Sequence, residues 1–388
     1  MRNDLSIMHI VNSFDPSLGY AEYYLAKKQM ELGFDVLVVC SDYPIRSGNV
    51  KESGLKNEDS IMVVRLKSAC KIRGNVWVFN PISLASIIKH FSPNIVHCHG
   101  LLSPLSQEVL LLKNFFGYKV VGDLITGISP LTLELTAILK PFLNSWILSK
   151  IDALFACNKA IERVLLETLK GPPSQVYFIP LGADHRLFKP DSKRRARSRV
   201  LLGISPEDIV AIYTGKFLPS KRIHDLLRAS KLVINQYKNF KIVLVGDGPA
   251  PYKEKLKLLT DELEISNNVL VVKTVHRTEL PKFYNAADFA VWPGAFSISI
   301  IEAMACHLPI IIAKSDWTSH YMEYKNGFSF RAGDTETLTS LLLKLVQDNG
   351  LRRFMGERSR RLVEDKLNWD NIAKQYMKIY QSCLKSRV

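Results

Sequence analysis

The chain has 388 residues, too many for one typical hydrophobic core, and its 47% apolar and 23% charged residues are the proportions of a soluble globular protein of two domains. No stretch reaches 18 uninterrupted apolar residues, which argues against a transmembrane helix, and six cysteines scattered without CxxC spacing argue for buried thiols in a reducing compartment over disulfides or a zinc site. The formal net charge of +15 favours acidic partners, whether nucleotide phosphates, nucleic acid or an anionic membrane surface, with a solvated basic face as the plain alternative.

Met1-Arg2-Asn3-Asp4 runs directly into a short strand, Ile7–Val11, without a signal-peptide pattern. A turn with Asp15, Pro16 and Gly19 follows, then a helix over Ala21–Leu32 stopped by Gly33, then a strand over Asp35–Cys40. Ile95–His99, Lys119–Val121 and Ala153–Cys157 read as further strands. Their continuous apolar runs suit a parallel sheet covered on both faces. His97-Cys98-His99 suggests a metal site at first, but no second ligand pair is evident elsewhere, and none is assigned. On a strand the two histidines share a face and Cys98 points away. Leu133–Leu148 is strongly apolar and reads as a core-facing helix interrupted by Pro141, with membrane contact as the competing reading.

The strand–helix series then restarts. Val176–Pro180 leads through a boundary near 182–190 into the basic segment Lys193–Arg199, which reads as a solvated linker, with anionic lipid as its rival partner. That run lacks interleaved aromatics and accompanies no nucleic-acid-binding pattern. Ile209–Thr214, Lys241–Val245, Val269–Lys273, Phe289–Trp292 and Ile310–Ala313 are the strands of a second domain. The fold class is therefore α/β, with two doubly wound, Rossmann-like parallel-sheet domains facing across a cleft. The first spans 1–183, the second 184–369, and a terminal amphipathic helix spans 370–388.

Two loops carry the candidate chemistry. Tyr213-Thr214-Gly215-Lys216-Phe217-Leu218-Pro219-Ser220-Lys221 follows the first strand of the second domain and sets two cations five residues apart on a glycine-containing loop, enough to bracket a diphosphate without metal. Trp292-Pro293-Gly294-Ala295-Phe296-Ser297-Ile298-Ser299-Ile300-Ile301-Glu302-Ala303-Met304-Ala305 leads into a helix that starts with a carboxylate, which is able to accept two ribose hydroxyls. No Asp-x-Asp triplet occurs, which fits metal-independent chemistry.

These segments, with Val245-Gly246-Asp247-Gly248-Pro249, Gly19-Tyr20-Ala21-Glu22 and Leu367-Asn368-Trp369-Asp370, resemble the retaining glycosyltransferases of the GT-B fold in the family-4 group, over nearly the whole chain. The resemblance implies that Lys216 and Lys221 stabilise the leaving diphosphate and that Glu302 binds ribose. It also implies that the backbone at Thr274-Val275 meets the base, and that Gly215, Gly246, Ser297, Ile298 and Gly19 approach the donor. The resemblance further implies that the last helix crosses back to the first domain and that no cofactor is required beyond the nucleotide sugar. The implied partners are a UDP-, GDP- or ADP-sugar and a glycan or lipid-linked acceptor, with no nucleic acid. The implied location is cytoplasmic, peripheral to the inner membrane face. This chain departs from the family where the first of two glutamates is Gly294, where a strand-end histidine is Gly122, and where Tyr20 replaces a glycine. His99 and Asp123 are the remaining candidates for sugar or acceptor contact. The departures leave open a non-catalytic GT-B-fold binding or regulatory subunit. An epimerase or phosphorylase on the same fold is a third reading, although no pyridoxal-phosphate lysine is identifiable.

Overall fold

The computed structural model describes residues 5–42, 52–68, 70–72, 76–78, 80–124 and 145–385. The chain divides into two compact units, one made of Met1–Leu181 and Trp369–Val388, the other of Gly182–Asn368.

The first unit is built on an eight-stranded sheet. Its order is Val176–Phe178, Ala153–Ala156, Lys119–Asp123, Ile95–His99, Ser6–Val11, Asp35–Ser41, Ile61–Leu66 and Gly54–Glu58. All neighbours are parallel except the last pair, in which Gly54–Glu58 runs antiparallel. Both faces are covered, which is why the central strands are mostly apolar, with His9, His97 and His99 as buried exceptions. Ile7, Val38 and Phe155 turn to one cluster, and Met8, Val39 and Val120 to the other. The first cluster is closed by the helix Trp369–Lys385. Trp369 stacks on Tyr24 at 5.3 Å, Tyr376 meets Phe155 edge-on at 4.6 Å, and Lys28 Nζ lies 3.0 Å from Asp370.

The second unit has six parallel strands in the order Val269–Val272, Phe240–Val245, Ile209–Thr214, Phe289–Trp292, Ile310–Ala313 and Gly327–Phe330. Its entry and exit segments are joined, with the Ala183 amide donating to the Leu367 carbonyl at 2.9 Å. In each sheet the chain moves outward in both directions from its first strand. That leaves a topological switch point beside Ser6–Val11 and another beside Ile209–Thr214, the places where open α/β sheets receive ligands at their carboxyl ends.

Two readings from the sequence change. The basic run is not a linker. It lies in the helix Ser192–Leu201, capped by Asp191. Arg199 is buried, with its guanidinium 2.8 Å from Asp288 and donating to the carbonyls of Ala286, Ser205, Pro206 and Asp208. Arg195 reaches the other Asp288 oxygen at 2.7 Å. The apolar segment Leu133–Leu148 lies outside the described residues as far as 144; within 145–150, a helical stretch, Ile147 is buried. No helix among the described residues is long and apolar enough to cross a membrane. Cys40, Cys98, Cys157, Cys306 and Cys383 are buried.

Candidate active site

In the second unit the loops that leave the carboxyl ends of the switch-point strands converge on Thr214. Its carbonyl accepts from Trp292 Nε1 and from Ser299 Oγ, each at 2.9 Å, and its hydroxyl is 2.8 Å from Tyr284 OH. The next residue, Gly215, has φ +142° and Gly246 has φ +154°. A Cβ on Gly246 would stand 1.9 Å from the Gly215 carbonyl oxygen, so only glycine lets these two loops meet backbone to backbone. The contact is fastened by Gly215 N to Val245 O at 3.0 Å and Phe217 N to Asp247 O at 2.8 Å.

Lys216 is exposed on this loop, and Lys221 is half-buried. The Lys221 ammonium donates to the Ala295 carbonyl at 3.0 Å and to that of Phe296. Burial, and then the Lys216 charge, lower its pKa to about 8. The first basic loop thus grips the loop Gly294–Ile298, and the Ala295 amide returns the contact by donating to the Ser220 carbonyl at 2.9 Å. Gly294 sits beneath this junction, where a Cβ would come within 2.4 Å of Ser220 O and 2.6 Å of the Lys221 carbonyl carbon. The backbone of residues 220 and 221 therefore crowds any side chain at 294. Ser297 Oγ and Ser299 Oγ are 2.6 Å apart, and Ile298 precedes the helix Ser299–Ala305.

Glu302, one turn into that helix, is buried. Its Oε2 accepts from Tyr284 OH at 3.2 Å, and Oε1 is 3.7 Å from Arg277 Nε. Burial raises its pKa to about 7 despite the opposing pull of Arg277 and Tyr284. Arg277 and Tyr284 were missed from sequence. Arg277 had a weak signal, a cation two residues past Val275 in the loop assigned to the base. Tyr284 had none, because it reaches the site from the helix Leu280–Ala286 by packing alone. Val275 is half-buried on the loop after Val269–Val272, two residues before Arg277.

Gly19, His99 and Asp123 belong to the first unit and form a separate set. Gly19 is left-handed, φ +58°, and ends the short helical turn Pro16–Leu18. His99 Nδ1 is 2.9 Å from Asp123 Oδ2, and the Gly100 amide donates to Asp123 Oδ1 at 3.2 Å. Burial alone would raise the Asp123 pKa, but His99 and His97 hold it well below the usual carboxylate range. A Cβ at Gly122 would lie 2.5 Å from a Leu101 methyl, so the family's histidine is replaced here by a packed contact. His97 and His99 do have a third histidine beside them. The parallel register pairs His9 with His97, and one ring nitrogen of each of the three lies within 4.8 Å of the others. The sequence alone gave no sign of His9 because strand pairing brings it there across about ninety residues.

Two family models match the chain: Glycosyltransferase Family 4 over residues 22–187 and Glycosyl transferases group 1 over residues 195–362. N-acetyl-alpha-D-glucosaminyl L-malate synthase of Bacillus anthracis is 24% identical over 93% of this chain and 92% of its own length. Other curated relatives are matched over 51% and 59% of their length. Among solved structures, a glycosyltransferase from Rickettsia africae superposes with TM-score 0.82 at 18% identity over 99% of this chain and 100% of that one. Anabaena HepE in complex with UDP and glucose superposes with TM-score 0.74 at 18% identity, over 97% of this chain and 100% of that one. Between them the two models cover most of both units, including the switch-point strand Ile209–Thr214, and the chain accordingly belongs to the family-4, group 1 glycosyltransferases, enzymes of the GT-B fold.

Proposed function

We propose that the protein transfers a sugar, with retention, from a nucleotide-sugar donor to a glycan or lipid-linked acceptor in the synthesis of cell-surface polysaccharide, glycolipid or another glycoconjugate. Its place of work on this reading is the cytoplasmic membrane face, where the +15 charge favours an anionic surface. The observation that carries the reading is the set of Lys216 and Lys221 on one loop and Glu302 on the helix Ser299–Ala305, gathered at one switch point, with no Asp-x-Asp triplet in the chain. The two ammonium groups neutralise the diphosphate as the bond from its oxygen to the anomeric carbon breaks. The acceptor oxygen forms the new bond on the same face, and its proton passes to the departing phosphate oxygen. Glu302 takes the ribose hydroxyls, and the backbone at Val275 takes the base. No metal is needed for the step, because side-chain cations supply the charge.

Relatives whose names carry L-malate and D-inositol 3-phosphate, and a neighbour solved with UDP and glucose, support a hydroxyl acceptor and a nucleoside diphosphate sugar. The test is a thermal-shift screen with UDP, GDP, ADP and their sugars, followed by release of free sugar from whichever donor stabilises the protein. Stabilisation with slow sugar release supports the reading and names the base. A chain that no nucleotide stabilises has lost the donor site.

One observation favours a second reading, a non-catalytic subunit. The place of the family's first glutamate is a glycine beneath Ser220 and Lys221, so the sugar loses a carboxylate that elsewhere holds its hydroxyls. Nucleotide binding without turnover on any acceptor fraction favours this reading.

A further inference from the structure

The histidine cluster of the first unit lies on a different element set from the donor loops, and the proposed transfer does not use it. His9 and His97 are fully buried and His99 nearly so, under the helix Trp369–Lys385. Each has one ring nitrogen turned outward to a fixed partner. His9 Nε2 is 2.7 Å from Gln29 Oε1, His99 Nδ1 is 2.9 Å from Asp123 Oδ2, and His97 Nδ1 is 2.6 Å from Tyr380 OH.

Those partners fix the protons. With Gln29 turned so that its amide oxygen, which accepts only, faces His9 and its own buried Nε2 is left without a partner, His9 carries its proton on Nε2. An ionised carboxylate accepts only, so neutral His99 carries its proton on Nδ1. The inward nitrogens, His9 Nδ1 and His99 Nε2, then present lone pairs to each other at 3.0 Å. Two lone pairs do not stay at that separation unless something positive lies between them. His97 Nε2 is buried beside them without a hydrogen bond, 3.5 Å from Asp123 Oδ2.

We propose that His9, His97 and His99 form a buried site for one divalent metal ion of the zinc class, oriented by Gln29, Asp123 and Tyr380. The ligand chemistry fits: three imidazoles, each with its outer nitrogen bonded to a carboxylate, amide or hydroxyl, are the arrangement that orients histidine for a metal. Two nitrogens at zinc-ligand distance in a tetrahedron stand about 3.3 Å apart, so His9 and His99 need to part by only a few tenths of an ångström, while the His97 nitrogen, within 4.8 Å of both, draws in toward the ion. Asp123 supplies a compensating negative charge, and Phe155, Tyr376 and Tyr380 keep the surround apolar. The ion is structural. It ties the strands Ser6–Val11 and Ile95–His99 and, through Tyr380, the helix Trp369–Lys385.

The test is the metal content of the untagged full chain, expressed in medium supplemented with zinc and, separately, with cobalt. One equivalent per chain, with the strong visible ligand-field bands of tetrahedral cobalt(II), is the expected result. His97→Gln and His9→Gln abolish both, while His90→Gln, on the exposed side of the helix Pro81–Phe91, leaves both unchanged. Trace metal in the wild type overturns the site and leaves a shared proton, and hence a buried imidazolium, between His9 and His99. Full metal content retained by both variants also overturns it, by placing the ion elsewhere. If a variant does not fold, the wild-type stoichiometry and cobalt spectrum decide alone.

Discussion

Glu302 and Lys221 titrate close to neutrality from opposite directions, each mainly because burial disfavours its charged form. Glu302 accepts ribose hydroxyls best as a carboxylate, so donor affinity rises as pH passes upward through about 7. Lys221 holds diphosphate only as an ammonium, so affinity falls as pH passes upward through about 8. The expected kcat/KM profile is a bell with those two limbs, and Glu302→Gln removes the acid one. A profile flat across that range contradicts both assignments. The same proton count has a consequence for stability. The folded chain keeps a proton on Glu302 that the unfolded chain releases above the ordinary value of 4.5, so this group's contribution to stability is full below that pH and is lost as pH rises through about 7.

Truncations at the two sites should separate binding from chemistry. Glu302→Ala weakens nucleotide-sugar affinity at least about tenfold by calorimetry, roughly 1.4 kcal/mol. Lys216→Ala lowers kcat more than donor affinity, because its charge matters most as the diphosphate leaves. Gly294 presents the reverse experiment. Restoring the family's glutamate by Gly294→Glu drives a Cβ to 2.4 Å from Ser220 O, so this variant loses stability and donor binding together and does not gain activity.

Among the elements, the helix Ser192–Leu201 shows how composition misleads. Seven residues dense in arginine read as a solvated run, yet Asp288 collects both Arg195 and Arg199, and Arg199 caps four carbonyls besides. Arg199→Ala leaves Asp288 partly unpaired in a buried setting and should cost about 3–5 kcal/mol in denaturant unfolding, while Lys193→Ala stays within about 0.5 kcal/mol. The central strands were legible because a parallel sheet with both faces covered needs unbroken apolar runs, as in Val36–Val39 and Ile209–Ile212. The edge strand Gly54–Glu58 was not, because Leu55, Lys56 and Asn57 are exposed and carry no such run. The loops with Lys216 and Glu302 were legible through glycine and charge spacing. Tyr284 and His9 were not, since they reach their partners through helix packing and sheet register, which spacing along the chain does not encode, and Arg277 had only its place two residues past Val275 to mark it.

For the whole molecule, the weight falls on the helix Trp369–Lys385. It closes one apolar face of the first unit with Trp369, Ile372, Tyr376 and Tyr380, all buried. Ile372→Ala in that face should cost about 2–5 kcal/mol, read as a lower urea midpoint with an unchanged slope.

The same helix sets an order of events during synthesis. Residues 182–368 emerge from the ribosome before Trp369, so the inserted unit has all of its strands while the first unit still lacks one wall. Until that helix arrives, Ile7, Val38 and Phe155 have an uncovered face, and His97 has no tyrosine. A stalled or truncated message therefore yields a chain with one complete unit and one sticky one, the kind of nascent product that chaperones hold and proteases clear.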